Sequence, residues 1–307
     1  LSGASSDQDF LIIAGIVVIA VLLTSAIVAT FALRYIFHFA QRIGADIASN
    51  LFDHYISSDW IFHTQNNSSK LITNISSECS RVTMGIIVPA LVMNSKIVTA
   101  LFIVSFLLWI NFLVGLIGFL IFGTIYSLLF LAIKSKIGSN GEKLTEHQNI
   151  RIRTMNEGFG GIKDILLMNR SKQFKTRFRN SSQIYGHANG TQQTLSDIPK
   201  YWVELIAFGT MISLVLFLLL TAEGNFTAIV PTLSMFAMGS YKLIPLFQQI
   251  YFSVAGIKFS QAALDSISKE LKLHHKNLDH SQSTNSPILK SYEIELDKIN
   301  FKYPTKE

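Results

Sequence analysis

Apolar residues run almost without interruption through five stretches of the chain, at about 10–33, 86–110, 112–133, 201–221 and 229–254. Each is close to or beyond the roughly 20 residues that a helix needs to cross about 30 Å of hydrocarbon. Between these stretches the pattern changes period. Ile43, Ile47, Leu51 and Tyr55 recur at a four-residue step, while Arg42, Asp46 and Asp53 fall on other faces. That is the signature of an amphipathic helix. The polar segments 34–85 and 134–200 are therefore expected to prolong the apolar helices past the bilayer, by roughly 15–30 Å for ten to twenty residues. Short breaks near 65–69 and 168–171 would turn the chain round.

The connections alternate in charge. Residues 1–9 carry only Asp7 and Asp9, Asn111 alone separates the second and third stretches, and 222–228 carries only Glu223. None of these short links has a Lys or Arg, whereas the long ones are basic. Basic loops are retained in the cytoplasm, so the short links are expected outside and the long ones inside. Leu1 then starts on the outer side, with neither an initiator Met nor the basic start of a signal peptide. This reads as a piece of a longer chain, whose upstream sequence supplies one more span and brings the number to six.

Composition supports a membrane protein. The chain is 49% hydrophobic and 15% charged, with mean hydropathy +0.37, where a soluble domain carries about 25% charged residues. The net charge of +6 lies on loops beside apolar spans. That placement favours a membrane face over nucleic acid, for which no aromatic-interleaved basic module is visible. The single cysteine, Cys79, excludes an internal disulfide and has no partners at metal-ligand spacing. It reads as a small buried residue.

Of the 26 Lys and Arg, only Lys96 and Lys242 lie inside the apolar stretches. A charge there costs roughly 2.5–3.5 kcal/mol on insertion scales, so it marks a pathway or a partner. Gly239, Gln249 and Ser253 share a helical face with Lys242, and Gln248 lies beside them. This polar stripe fits a hydrated cavity, and Pro245 within it predicts a kink. Lys96 lies among Asn94, Ser95 and Thr99. Either lysine could contact an anionic head group. For Lys242 the alternatives are an ion pair with Glu204 or snorkelling to an interface; for Lys96, a structural hydrogen bond to a neighbouring helix.

Long extensions of the spans, paired around two turnarounds, resemble the membrane domain of an ATP-binding-cassette exporter. Ser57-Ser58-Asp59-Trp60-Ile61-Phe62-His63 before Asn66-Asn67-Ser68 resembles that family's first coupling segment. Glu157-Gly158-Phe159-Gly160-Gly161-Ile162-Lys163-Asp164-Ile165, followed by Met168-Asn169-Arg170 and Phe174, resembles the second. Near the end, Ile294 and Leu296 alternate with Glu293, Glu295 and Asp297, as in a half-buried strand or by chance in a disordered tail. The stretch resembles the first strand of a nucleotide-binding domain, with Tyr303 matching the aromatic that stacks on adenine.

The resemblance implies an all-α membrane fold, a six-span exporter domain with its first span absent and a short β start at the C-terminus. Residues 1–275 would form the transmembrane domain, 276–290 a linker and 291–307 the truncated start of the nucleotide-binding domain. No G-x-x-x-x-G-K-[ST] occurs, so this chain by itself is expected to bind and hydrolyse no ATP. ATP and Mg would serve the full-length protein.

Within the family the chain looks similar to bacterial flippases for lipid-linked oligosaccharides. That likeness rests on Ile198-Pro199-Lys200-Tyr201-Trp202-Val203-Glu204 and on Tyr241-Lys242-Leu243-Ile244-Pro245, where the flippases have Arg at the position of Lys242. The resemblance implies a homodimer in the bacterial inner membrane, with long loops cytoplasmic and a nucleotide-binding domain in the same full-length chain. A lipid-linked oligosaccharide or polysaccharide-type substrate would move by alternating access. Lys96, Lys242, Gln249 and Ser253 would line the cavity. Asp59, Trp60, Phe62, Met168, Asn169 and Arg170 would couple it to the partner domain. The basic run 170–179 would be a solvated face or touch that domain or anionic lipid. Rival readings are an exporter of lipid, peptide or drug, a secondary transporter, and a membrane signalling scaffold.

Overall fold

The computed structural model describes residues 7–110, 112–221 and 230–278. Among these residues there is no strand, and helices follow one another with only short turns between them. Helix α1 runs over Asp7–Ser57, the short α2 over Trp60–Gln65 and α3 over Ser68–Ile110. Helix α4 covers Phe112–Gly160, the short α5 Ile162–Leu167, α6 Ser171–Thr221 and α7 Val230–Leu278. The five apolar stretches fall on α1, α3, α4, α6 and α7. At 1.5 Å per residue each of α1, α4, α6 and α7 is about 75 Å long, far more than a bilayer is thick. The spans thus continue as stalk helices, as their amphipathic period predicts. The strand expected within 291–307, with Tyr303, lies outside the described residues.

Local chemistry sets the turns. The Asn67 side chain accepts a hydrogen bond from the Ser69 N–H at 2.8 Å and caps the start of α3. Asn169 has φ of 51°, a left-handed conformation that asparagine tolerates better than most side chains. There the Arg170 N–H donates to the Ile165 carbonyl at 2.9 Å and closes the end of α5. Helix α6 continues through Pro199 and α7 through Pro245. Helix α3 contains two π-helical stretches, Asn74–Glu78 and Thr83–Ile87.

Helix α7 is the centre of the packing. With α4 and α6 it encloses Tyr126, Ile137, Leu144, Val203, Tyr251 and Phe259. With α1 and α3 it encloses Leu51, Tyr55, Leu71, Val82 and Ile267 in the stalk. Higher up, Leu243 packs on Ala100, Val104 and Leu107 of α3. Full burial of one such side chain stabilises by about 1.5–3 kcal/mol. The four-residue step read in α1 is borne out: Leu51 and Tyr55 are buried, Ile43 and Ile47 half-buried, and Arg42, Asp46 and Asp53 exposed. Close approach requires glycine at Gly141, where a Cβ would run into the Phe259 backbone of α7. Cys79 is buried, as expected.

Helix α1 behaves differently over its apolar part. No described residue before Ala40 is buried. Two helices among the described residues combine the length and apolarity of a membrane span, α1 and α3, and none of the α1 window is buried against the protein.

Candidate functional site

Helices α1 and α3 touch in the stalk and separate above it. In the stalk Gly44 lies against Thr83, which begins the second π-helical stretch of α3. Such stretches are frequent at functional sites because they widen the helix and break its hydrogen-bond register. Beyond it a groove of about 850 Å³ opens, lined by α1 between Val17 and Ile36 and by α3 between Val92 and Thr99. Lys96 is the one titratable residue in that lining. It is half-buried and makes no ion pair among the described residues.

The rest of the lining is apolar apart from four hydroxyls, on Thr24, Ser25, Ser95 and Thr99. Thr24 Oγ1 donates to the Ala20 carbonyl at 2.8 Å and Thr99 Oγ1 to the Ser95 carbonyl at 3.0 Å. Their protons are engaged on their own helices, which leaves the oxygens as acceptors. The groove therefore offers one fixed positive charge, a few weak polar contacts and a long apolar wall. That combination suits an amphiphile with an anionic head and a hydrocarbon tail.

Lys242 does not line this groove. It is exposed on α7, one residue before the buried Leu243. Gln249 is half-buried and Ser253 fully buried, its Oγ without a hydrogen-bond partner. The polar stripe predicted on α7 thus starts on an open face and ends at a fully buried position. Ser253 faces no open space in this arrangement. Glu204 is half-buried, and no ion pair joins it to Lys242 among the described residues.

Below the groove, the stalk is joined by buried polar groups. Glu78, in the first π-helical stretch, has no solvent exposure and meets Arg81 at 2.7 Å. The same Arg81 Nη1 donates to Thr145 of α4 at 2.6 Å, and its guanidinium lies over the Phe259 ring of α7 at 5.6 Å. One ion pair therefore ties three helices. Burial pushes the Glu78 carboxyl up from its usual range, against the pull of Arg81, and pushes the Arg81 guanidinium down. Asn74 makes a second tie: its Nδ2 donates to the Tyr55 hydroxyl of α1 at 3.0 Å, and its Oδ1 accepts from Ser266 of α7 at 3.1 Å. Burial raises the Tyr55 phenol and lifts the Cys79 thiol to about 11. Asn156 and Gln148 of α4 donate to Ser69 and Ser77 of α3.

The turnarounds sit at the far end of the stalk, where the two breaks were expected. Trp60 is 71% exposed at the start of α2, next to the exposed Asp59. Phe62, grouped with Trp60 among the coupling residues, is half-buried. It stacks on Tyr55 at 5.8 Å between ring centres and meets His54 edge-on, because α2 folds back beneath α1. At the second tip Met168, Asn169 and Arg170 are all exposed. Phe159 and Leu167 are exposed beside them, at 76% and 75%.

The sequence reading missed the Glu78–Arg81 and Asn74 ties. An acid three residues before an Arg on an otherwise amphipathic segment was their available sign, but surface pairs show the same spacing. It also missed the polar side chains that α1 presents to the groove, Thr24 and Ser25.

Comparison with known families agrees with this geometry. The model of the ABC transporter transmembrane region matches residues 2–241. That match spans most of the chain, so the protein belongs to the ABC transporter family as its integral membrane region, the part through which a substrate crosses the bilayer.

Proposed function

We propose that the chain is the membrane half of an ATP-driven flippase for an amphipathic anionic substrate, of the lipid-linked oligosaccharide or polysaccharide type. The observation that carries this reading is the α1–α3 groove, with Lys96 as its one charge above an apolar wall. A polyprenyl pyrophosphate sugar would set its phosphates at the ammonium and lay its chain along α1. Lysine supplies a point charge rather than the bidentate fork of arginine, so the head group is held without a fixed orientation. That suits a site that must release what it binds.

In this reading the full-length protein works as a homodimer with its own nucleotide-binding domains. ATP and Mg at those domains supply the free energy of closure, and Tyr303 of this chain would stack on the adenine. Trp60 and the 168–170 tip would pass the movement of those domains to the stalk. The buried ties of Glu78 and Asn74 would carry it as a rigid unit to the level where α1 and α3 part. The groove would then shift between inward and outward access, each favoured in turn by a different nucleotide state.

The decisive experiment is the ATPase activity of the complete transporter in lipid, with and without a polyprenyl-pyrophosphate oligosaccharide. Specific stimulation, reduced by Lys96→Ala with basal activity kept, supports the flippase. Equal stimulation by unrelated lipids or drugs replaces it with a broader exporter. No ATPase in well-folded protein overturns ATP-driven transport by this region.

A further inference from the structure

A second groove lies on the opposite pair of helices. Between α4 and α6 a space of about 890 Å³ is lined by Lys136, Asn140 and Lys143 on one side and Gln183, His187 and Thr191 on the other. Lys136, Asn140 and Lys143 stand at i, i+4 and i+7, and Gln183, His187 and Thr191 at four-residue steps. Each set is therefore one face of its helix. No Asp or Glu lines the groove. Glu142 and Glu146, the nearest acids on α4, are exposed outside its lining.

Its height along α4 is the informative feature. The apolar stretch of α4 ends at about residue 133. Lys136 follows it by about 5 Å and Lys143 by about 15 Å. The head-group layer of a bilayer occupies roughly 5–8 Å beyond the hydrocarbon on each side. Lys136 thus sits within that layer and Lys143 below it, and on α6 the lining residues 183–191 lie about 15–27 Å before the apolar stretch that begins at 201, so the groove runs from the head-group layer down into the stalk.

The floor carries an independent sign of a ligand. Asn140 is only 7% exposed, and its Nδ2 donates no hydrogen bond to the protein. Buried amide donors are ordinarily paired. Here the orphaned donor belongs to a residue that lines the groove together with two lysines and a histidine, and a turn of its amide would present it to a phosphate or ester oxygen.

The geometry points to a binding site for the head group of an anionic phospholipid in the groove between α4 and α6, at the bilayer surface that borders the stalk. The two ammonium groups would bracket the phosphate, and Asn140 would donate to one of its oxygens or to a glycerol ester. The acyl chains would lie against the apolar stretch of α4 above Ala132. This requires only that α4 crosses a bilayer, and it is independent of which substrate the α1–α3 groove takes.

The test is native mass spectrometry of the complete transporter titrated with phosphatidylglycerol, and separately with phosphatidylcholine. Wild type is expected to bind phosphatidylglycerol selectively. The double substitution Lys136→Gln with Lys143→Gln should weaken that binding about tenfold or more, since each basic residue near an anionic surface contributes about 1 kcal/mol. Lys172→Gln with Lys175→Gln removes the same charge at the far tip and should leave it unchanged. Asn140→Leu should weaken it about threefold. Equal loss in both lysine pairs would show diffuse attraction and overturn the site, as would unchanged binding in the groove pair. Inorganic phosphate that displaces the lipid at comparable concentration would make this a free-anion site. A groove pair that alters oligomeric state while lipid binding persists would make it a protein-covered face. None of these results depends on substrate-stimulated ATPase, so the two readings fail separately.

Discussion

The stalk and the membrane-level part of this chain are held together by opposite means. In the stalk, α1, α3, α4 and α7 are joined by Glu78–Arg81–Thr145, by Tyr55–Asn74–Ser266 and by a buried apolar cluster around Leu51 and Ile267. At membrane level α3 and α7 meet through Leu243, Ala100, Val104 and Leu107, while α1 buries nothing. Directional bonds between buried polar groups admit one register, because any slip leaves a charge or an amide unpaired. Apolar contacts between helices in lipid carry no such penalty, since lipid tails replace them readily. The contrast separates a stalk fixed in one register from a membrane-level wall held by apolar contact alone.

The most severe way to break that contrast is to remove the ion pair from the rigid half. Glu78→Ala leaves Arg81 buried without its partner and should cost about 3–5 kcal/mol, read as a large fall in thermal midpoint in detergent. Arg153→Ala removes the exposed partner of Glu157, 2.6 Å away, and should cost no more than about 1 kcal/mol. Equal losses would mean that the stalk is not organised by buried charge. Gly141→Leu should cost about 1–3 kcal/mol by forcing α4 away from the Phe259 backbone, with basal ATPase lost alongside stability.

Smaller effects sharpen the comparison. Phe62→Ala should lower stability through its lost contacts with Tyr55 and His54. Trp60→Ala and Arg170→Ala should leave stability alone and instead let ATP hydrolysis run without transport; normal coupling in both would place the contact with the nucleotide-binding domain elsewhere. In the soft half, Lys96→Ala should reduce substrate stimulation of the ATPase about tenfold, a difference of about 1.4 kcal/mol in binding, with an unchanged thermal midpoint. Lys242→Ala should reduce it less, because Lys242 stands outside the groove.

The weakest expected effect is on pH. The carboxyl of Glu78 titrates above its ordinary value of 4.5 in the folded chain, so the folded state holds its proton more tightly than the unfolded one. Its contribution is fully present below the unfolded value and declines as pH rises through the folded one. Glu78→Gln should flatten that part of the stability–pH curve. A curve identical to wild type would assign the dependence to other groups.

Much of the architecture was legible residue by residue. Runs such as 10–33 have no way to satisfy their surroundings except as membrane helices, so hydropathy alone marked the five apolar stretches, which fall on long helices. The step from Ile43 to Tyr55 extended the first of them into the stalk, and the breaks at 66–67 and 168–170 followed from Asn-rich, turn-forming sequence. Lys96 stood out because a charge in hydrocarbon needs a reason. Less visible was which lysine shares a groove with which helix. Lys96 and Lys242 carry the same sequence signal, and only the groove between α1 and α3 sets them apart. Phe62 and Trp60 likewise share a pattern but have opposite surroundings.

By itself, then, the sequence determined helix content, the apolar stretches, the two turnarounds and the sparse charges among them, because each follows from the local cost of exposing or burying a side chain. Tertiary structure alone decided the π-helical stretches of α3, the burial of Glu78 and Asn74, and the two grooves at Lys96 and at Asn140. Those depend on how closely distant helices approach, and that distance is set by pairs such as Gly44 with Thr83 and Gly141 with Phe259, which lie far apart along the chain.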